Sequence, residues 1–153
     1  NVVTLTEKEI SSWSGWHKNV KKKIKKAYRD GIFILNQSTF DSYIDGMVDS
    51  NGQPIARVNY GINGEESYRF MGRTVETVES DILPDYDDAN DGDVIGIYMK
   101  LSDYVFNSNM AMTVVKWTDH DTNKIKNKVM MIVDGKLADA NGVILIKKKV
   151  QEV

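Results

Sequence analysis

The sequence predicts an α+β fold in which a mixed or antiparallel sheet is flanked by two main helices. Three observations carry that expectation. Apolar residues at three- and four-residue steps dominate the first fifty residues, alternation and short apolar runs dominate the rest, and no repeat or composition break separates the two. Helices first and strands afterwards point to α+β packing rather than repeating βαβ units. Length and composition suit one ordinary core: 153 residues, 41% hydrophobic and 27% charged, the globular range.

The first helix is expected to open at Thr4 or Thr6, with Glu7 and Glu9 in its first turn, where carboxylates suit the positive end of the dipole. Ile10, Trp13, Val20, Ile24, Ala27 and Tyr28 then form one apolar stripe, with a longer gap around Trp16 and His17. Gly15 weakens this helix near its start, and Asp30-Gly31 ends it. Ile32-Phe33-Ile34-Leu35 before polar Asn36 reads as a buried strand. Ser38 or Thr39 caps the second helix, whose Phe40, Tyr43, Ile44, Met47 and Val48 recur at helical spacing. Asp49-Ser50-Asn51-Gly52 ends it and turns the chain.

Strands follow. Pro54 to Asn59, Ser67 to Met71 and Thr74 to Val78 are short extended candidates, with Gly61-Ile62-Asn63-Gly64 as the first turn. Asp93 to Met99 and Met110 to Trp117 come next. Asp119-His120-Asp121-Thr122-Asn123 reads as a hairpin connection to Lys128 to Val133, and Val143-Ile144-Leu145-Ile146 is the last strand.

The formal net charge is -2, so no global field draws the chain onto nucleic acid. Charge is nevertheless segregated: Lys18 to Arg29 is basic and Asp81 to Asp93 acidic. The only arginines are Arg29, Arg57, Arg69 and Arg73, and the dominance of lysine favours solvated surface over bidentate phosphate readout. Absence of cysteine excludes disulfides and thiolate metal sites, which is compatible with a reducing cytoplasm. No apolar run approaches the ~20 residues of a membrane-spanning helix. Asn1-Val2-Val3-Thr4 lacks the basic-then-apolar pattern of a signal peptide, so none is expected.

Candidate chemistry is sparse. With Gly92 at position 6 of a calcium-loop template, Asp87 and Asp91 fall at positions 1 and 5. Ala89 and Tyr98 then occupy positions 3 and 12, where neither can serve as ligand. A solvated acidic loop is the simpler reading. His120 lies between Asp119 and Asp121, but neighbours on an extended strand alternate faces, so a polar turn is favoured over a metal or proton-transfer site. His17 reads as helix-edge surface. The lysines from Lys18 to Lys26 and Arg29 read as a solvated helix face, with no interleaved aromatics to stack bases. Met110-Ala111-Met112 and Met130-Met131 read as core or interface filling. No serine nucleophile elbow, phosphate-binding glycine loop or metalloprotease helix is found, so neither an enzyme, a cofactor nor a metal is expected.

The order of several segments resembles the phage capsid family of tailed-phage major capsid proteins. They are Ile32-Phe33-Ile34-Leu35-Asn36, Ser38-Thr39-Phe40 leading to Asp49 through Ile55, and Met71-Gly72-Arg73-Thr74-Val75 leading to Ser80 through Pro84. Gly92 through Tyr98, Ser102-Asp103-Tyr104 and Asp134 through Asp139 complete the series. Thr74 stands where the family usually has proline. The resemblance implies that residues 1–112 and 137–153 form the axial domain, and that 113–136 form a protruding β-hairpin belonging to the peripheral domain. It also implies a molecule shortened at its N-terminus, whose hairpin projects, is mobile or pairs with a neighbour because unpaired strand edges seek partners.

By the same resemblance the protein is a structural subunit that assembles with copies of itself into hexamers and pentamers of a virion head, in the host cytoplasm. Scaffolding protein and packaged DNA are implied partners, and a membrane or small-molecule substrate is not. Subunit contacts are expected at Asp85, Asp87, Asp88 and Asp91, at Asn63, Glu65 and Glu66, and at Trp117 and Met130 of the hairpin. Some family members cross-link a lysine to a hairpin asparagine with help from an acid; Asn127 and Asp134 fall at matching positions, with ordinary strand-end polar residues as the plainer reading. Lys22, Lys25 and Lys26 are the residues expected to face nucleic acid. The alternatives are a nanocompartment shell protein of the encapsulin type and a nucleic-acid-binding module using residues 18–29.

Overall fold

The computed structural model describes residues 1–49, 51–60 and 66–150, except for the side chains of 109–111. The chain opens with strand β1 (Val2–Leu5), where Val3 and Leu5 are buried in alternation. Helix α1 (Glu7–Ile10) follows, capped at Thr6 by a reciprocal box: the Thr6 amide and hydroxyl both donate to Glu9. Ser12 caps helix α2 (Trp13–Asn19) by accepting from the Gly15 amide at 3.1 Å. Two 3-10 turns, Lys21–Lys23 and Lys26–Tyr28, lead to strand β2 (Ile32–Asn36).

The single long helix expected before residue 30 is therefore four short pieces. Its stripe is also shifted: Trp16, placed in the gap, is wholly buried, and Trp13 packs at the margin. The break at Ser11-Ser12 folds α2 back against α1. The Trp16 indole then donates to the Ile10 carbonyl at 2.7 Å. Gly15 is required by this close approach, because a Cβ there would lie 2.2 Å from the Glu9 carbonyl oxygen.

The second expected helix is also short. Asn36, rather than Ser38 or Thr39, is the cap, accepting from both of their amides. Helix α3 (Gln37–Thr39) runs into a π-helical turn, Phe40–Asp45, which buries Phe40 and Ile44 and stops at Gly46.

Strands β3 (Arg57–Tyr60), β4 (Glu66–Phe70), β5 (Arg73–Val78), β6 (Val94–Met99) and β9 (Ile144–Lys148) join β1 and β2 in a seven-stranded sheet ordered β1-β9-β6-β2-β5-β4-β3. Pairs β1–β9 and β2–β5 are parallel and the rest antiparallel, so the sheet is mixed. Phe33, Val75 and Tyr68 lie in one cross-strand row. Trp16 packs edge-on against Phe33 and Phe70, and Phe40 against Tyr68, so both helical segments cover the same face. On the other face the row Leu145, Ile97, Ile34 and Glu76 is partly to fully exposed.

Strands β7 (Tyr104–Asp119) and β8 (Lys124–Leu137) form a separate antiparallel ribbon closed by the turn at 120–123. Both are longer than the runs at 110–117 and 128–133 suggested. The chain divides into two compact units, 1–101 with 140–153, and 102–139.

Candidate functional site

The acidic segment between β5 and β6 is a built platform, not the freely solvated loop expected. Its construction begins at buried Asn36. The Asn36 side-chain amide donates to the Leu83 carbonyl at 2.8 Å and to the Ser80 hydroxyl at 3.0 Å, while its oxygen caps α3. Thr39 and Ser38 donate their hydroxyls to the two oxygens of Asp85, at 2.8 and 2.9 Å. The Thr39 hydroxyl oxygen also accepts from the Tyr86 amide. Leu83, Tyr86 and Ala89 are thereby turned into the core.

Lys148 closes the platform from the last strand. Ile144, Ile146 and Lys148 share one face of β9, so the lysine continues a buried row. Its ammonium donates to the carbonyls of Tyr86 at 2.6 Å, Ala89 at 2.8 Å and Asp87 at 3.3 Å, and lies 4.8 Å from the Tyr86 ring centroid. The Tyr43 hydroxyl donates to Asp87 at 2.5 Å, and this bond to a carboxylate pushes the Tyr43 phenol up. Burial pushes the Tyr86 phenol up as well. Asp91 accepts from the Val150 amide and Asp93 from the Asn90 amide, each at 2.8 Å. Of the candidate contact residues, Asp85, Asp87 and Asp91 thus hold the platform together. Exposed Asp88, together with Asp81, has no hydrogen bond or ion pair among the described residues.

The other candidates are scattered. Asn63 and Glu65 lie outside the described residues, and Glu66 begins β4, where it accepts from the Tyr68 hydroxyl. Trp117 and Met130 are part-exposed on the ribbon, opposite Lys126 and Thr113. Asn127 sits opposite Lys116 and Asp134 opposite Asn107 on the same strand. Asn127 and Asp134 are seven residues apart along the extended strand, about 23 Å, and an odd spacing puts them on opposite faces. The structure does not bring that pair together. Lys22, Lys25 and Lys26 are exposed at the two 3-10 turns, not along the flank of one helix. The sequence reading missed Lys148, whose position two residues after Ile146 was the available signal.

Helices on one face of a mixed sheet, a hydrogen-bonded loop platform and a two-stranded ribbon make up the described residues. The Phage capsid family model matches residues 3–148, and the chain belongs to that family of shell proteins. Among solved structures it is similar to the capsid of an empty GTA particle, at 18% identity and a TM-score of 0.60, over 84% of this chain and 42% of that one. The capsid of a native GTA particle is matched at 18% identity and a TM-score of 0.58, over 82% and 40%. The chain thus spans about two fifths of these capsid chains. No curated protein matches.

Proposed function

We propose that this chain is part of the major capsid protein of a tailed phage or prophage, and that it builds the icosahedral head by binding copies of itself as hexamers and pentamers. Family membership across nearly the whole chain carries this reading. Residues 1–112 and 137–153 are assigned to the axial domain and 113–136 to the peripheral domain. The compact division at 101/102 and 139/140 supports two parts, with more of the ribbon in the second. A platform locked by Asn36, Thr39 and Lys148 holds its exposed residues in fixed positions, which suits a contact repeated around a closed ring. The function is structural rather than enzymatic. The protein belongs in the virion, assembled in the host cytoplasm, with scaffolding protein and packaged DNA as further partners.

The ribbon supports the same reading. Phe106, Met112, Val114, Ile125, Val129 and Met131 are all more than half exposed, an unusual apolar surface for two strands. Electron microscopy of the complete gene product after expression provides the test. Closed shells of uniform diameter are expected, and a population of small soluble species alone overturns the proposal.

A further inference from the structure

All four arginines of the chain gather at one end of the sheet. Strands β4 and β5 meet there in a tight turn, with Met71 and Gly72 both at positive φ, 55° and 76°. Two guanidinium groups hold this turn: Arg69 donates to the Gly72 carbonyl at 3.4 Å and Arg73 to the Met71 carbonyl at 3.1 Å. Arg29 and Lys21 line a shallow cleft with Arg73 on one side of Gly72. Arg57 and Asn59 line another with Arg69 on its other side. Arg57 and Arg69 are direct cross-strand partners, an arrangement of like charges that is unfavourable unless an anion lies against it.

The chain supplies no such anion among its described residues. Neither cleft has a carboxylate in its lining. Asp30, next to Arg29, is paired with Lys100 at 2.8 Å. Glu76, two residues beyond the Thr74 that faces Arg69, makes no ion pair. The platform's surplus carboxylates, Asp81 and Asp88, stand at the opposite end of the sheet. Parallel strands β2 and β5 both run from the arginine end to the acidic end, and the six residues of β5 span about 20 Å. That is more than twice the ~8 Å screening length at physiological salt, so the two ends of one molecule cannot neutralise each other.

We propose that the arginine end of one copy binds the acidic platform of the next, with Arg57 and Arg69 against Asp81 and Asp88. The two surfaces differ and lie at opposite ends, so the contact is head-to-tail, the kind that closes into a ring. Arginine suits it because its planar fork matches a carboxylate. A net charge of -2 favours a protein carboxylate over a polyanion as the occupant.

The inference rests on the shell reading, and charge reversal separates the two. One variant carries Arg57→Glu and Arg69→Glu, the other Asp81→Lys and Asp88→Lys, all at exposed positions. Each complete variant protein alone is expected to lose self-association in sedimentation velocity, and an equimolar mixture to regain it, because each altered end then meets its complement. The unsubstituted protein is expected to associate roughly tenfold more weakly in 1 M salt than in 0.05 M. Normal association by either variant alone, or no recovery in the mixture, overturns the inference and leaves the shell reading standing. Arginine-dependent retention of tripolyphosphate with association unchanged assigns the cleft to phosphate and likewise overturns it. Failure of the unsubstituted protein to associate overturns both.

Discussion

Glu9 shows how much one side chain carries in the first ten residues. It accepts from the Thr6 amide and hydroxyl and from the Asn19 side chain, tying α1 to its own cap and to the end of α2. The backbone bond from Thr6 is the main reason its carboxyl lies below the usual glutamate range. A depressed folded-state value means the stabilisation is fully present above the unfolded value of 4.5 and disappears as pH falls through the folded one. Glu9→Gln is therefore expected to lower stability at pH 7 by about 1 kcal/mol, in the range of a lost cap, and to matter little near pH 2. Urea unfolding at the two pH values measures the difference. Lys148 is the second such residue. Lys148→Met leaves the Tyr86 and Ala89 carbonyls without their charged donor, at a cost of about 2–3 kcal/mol. Lys148→Arg is expected to recover little of this, since a planar fork replaces a compact ammonium. Chemical denaturation of the three proteins decides it.

At the scale of elements, the sequence was most readable where period two holds. Ile32 to Asn36, Arg73 to Val78 and Val94 to Met99 alternate or run apolar, and strands lie there within a residue or two of expectation. The helices were misjudged because spacing reports which residues turn inward, not whether the backbone between them is continuous. Ile10, Trp16, Val20 and Ile24 are all buried, yet two caps and two 3-10 turns deliver them. Strand β1 escaped notice because Thr4 also reads as a candidate helix cap, although Val2, Val3 and Thr4 are β-branched, and because its partner β9 lies more than a hundred residues away. The acidic platform was located but not its internal bonding, because Asp85 with Thr39 and Lys148 with Tyr86 are contacts across long sequence separations. The ribbon's length was underestimated: Tyr104-Val105-Phe106 at one end and Lys124-Ile125-Lys126 at the other lie outside the expected strands. Two strands alone are marginal in water. Amides of 104–119 and 124–137 are accordingly expected to exchange with solvent hydrogen at least tenfold faster than those of β2 and β6 in the unassembled protein. Equal protection would mean that the ribbon is stable without a partner.

For the whole molecule, every buried apolar side chain identified among the described residues lies in 1–101 or 140–153. Strands β6 and β9 pair antiparallel, with Tyr98 opposite Ile144, so the chain leaves and re-enters the sheet at adjacent points. Replacing 102–139 by a short glycine-rich loop turns β6 and β9 into an ordinary hairpin. Loop closure favours the change: shortening the connection by two to three doublings in length gains about 1.5 kcal/mol at ~0.6 kcal/mol per doubling. The excised protein is expected to unfold cooperatively, with a melting temperature no lower than that of the intact chain. Trp13 and Trp16 both remain, packed on Phe70, so their fluorescence reports whether the core is native. A non-cooperative transition, or a tryptophan spectrum already red-shifted before heating, would mean that the sheet depends on the ribbon after all. A native, cooperative product would instead show that 102–139 can be lost without cost to the fold, and that its exposed apolar surface serves contacts outside the sheet's own core.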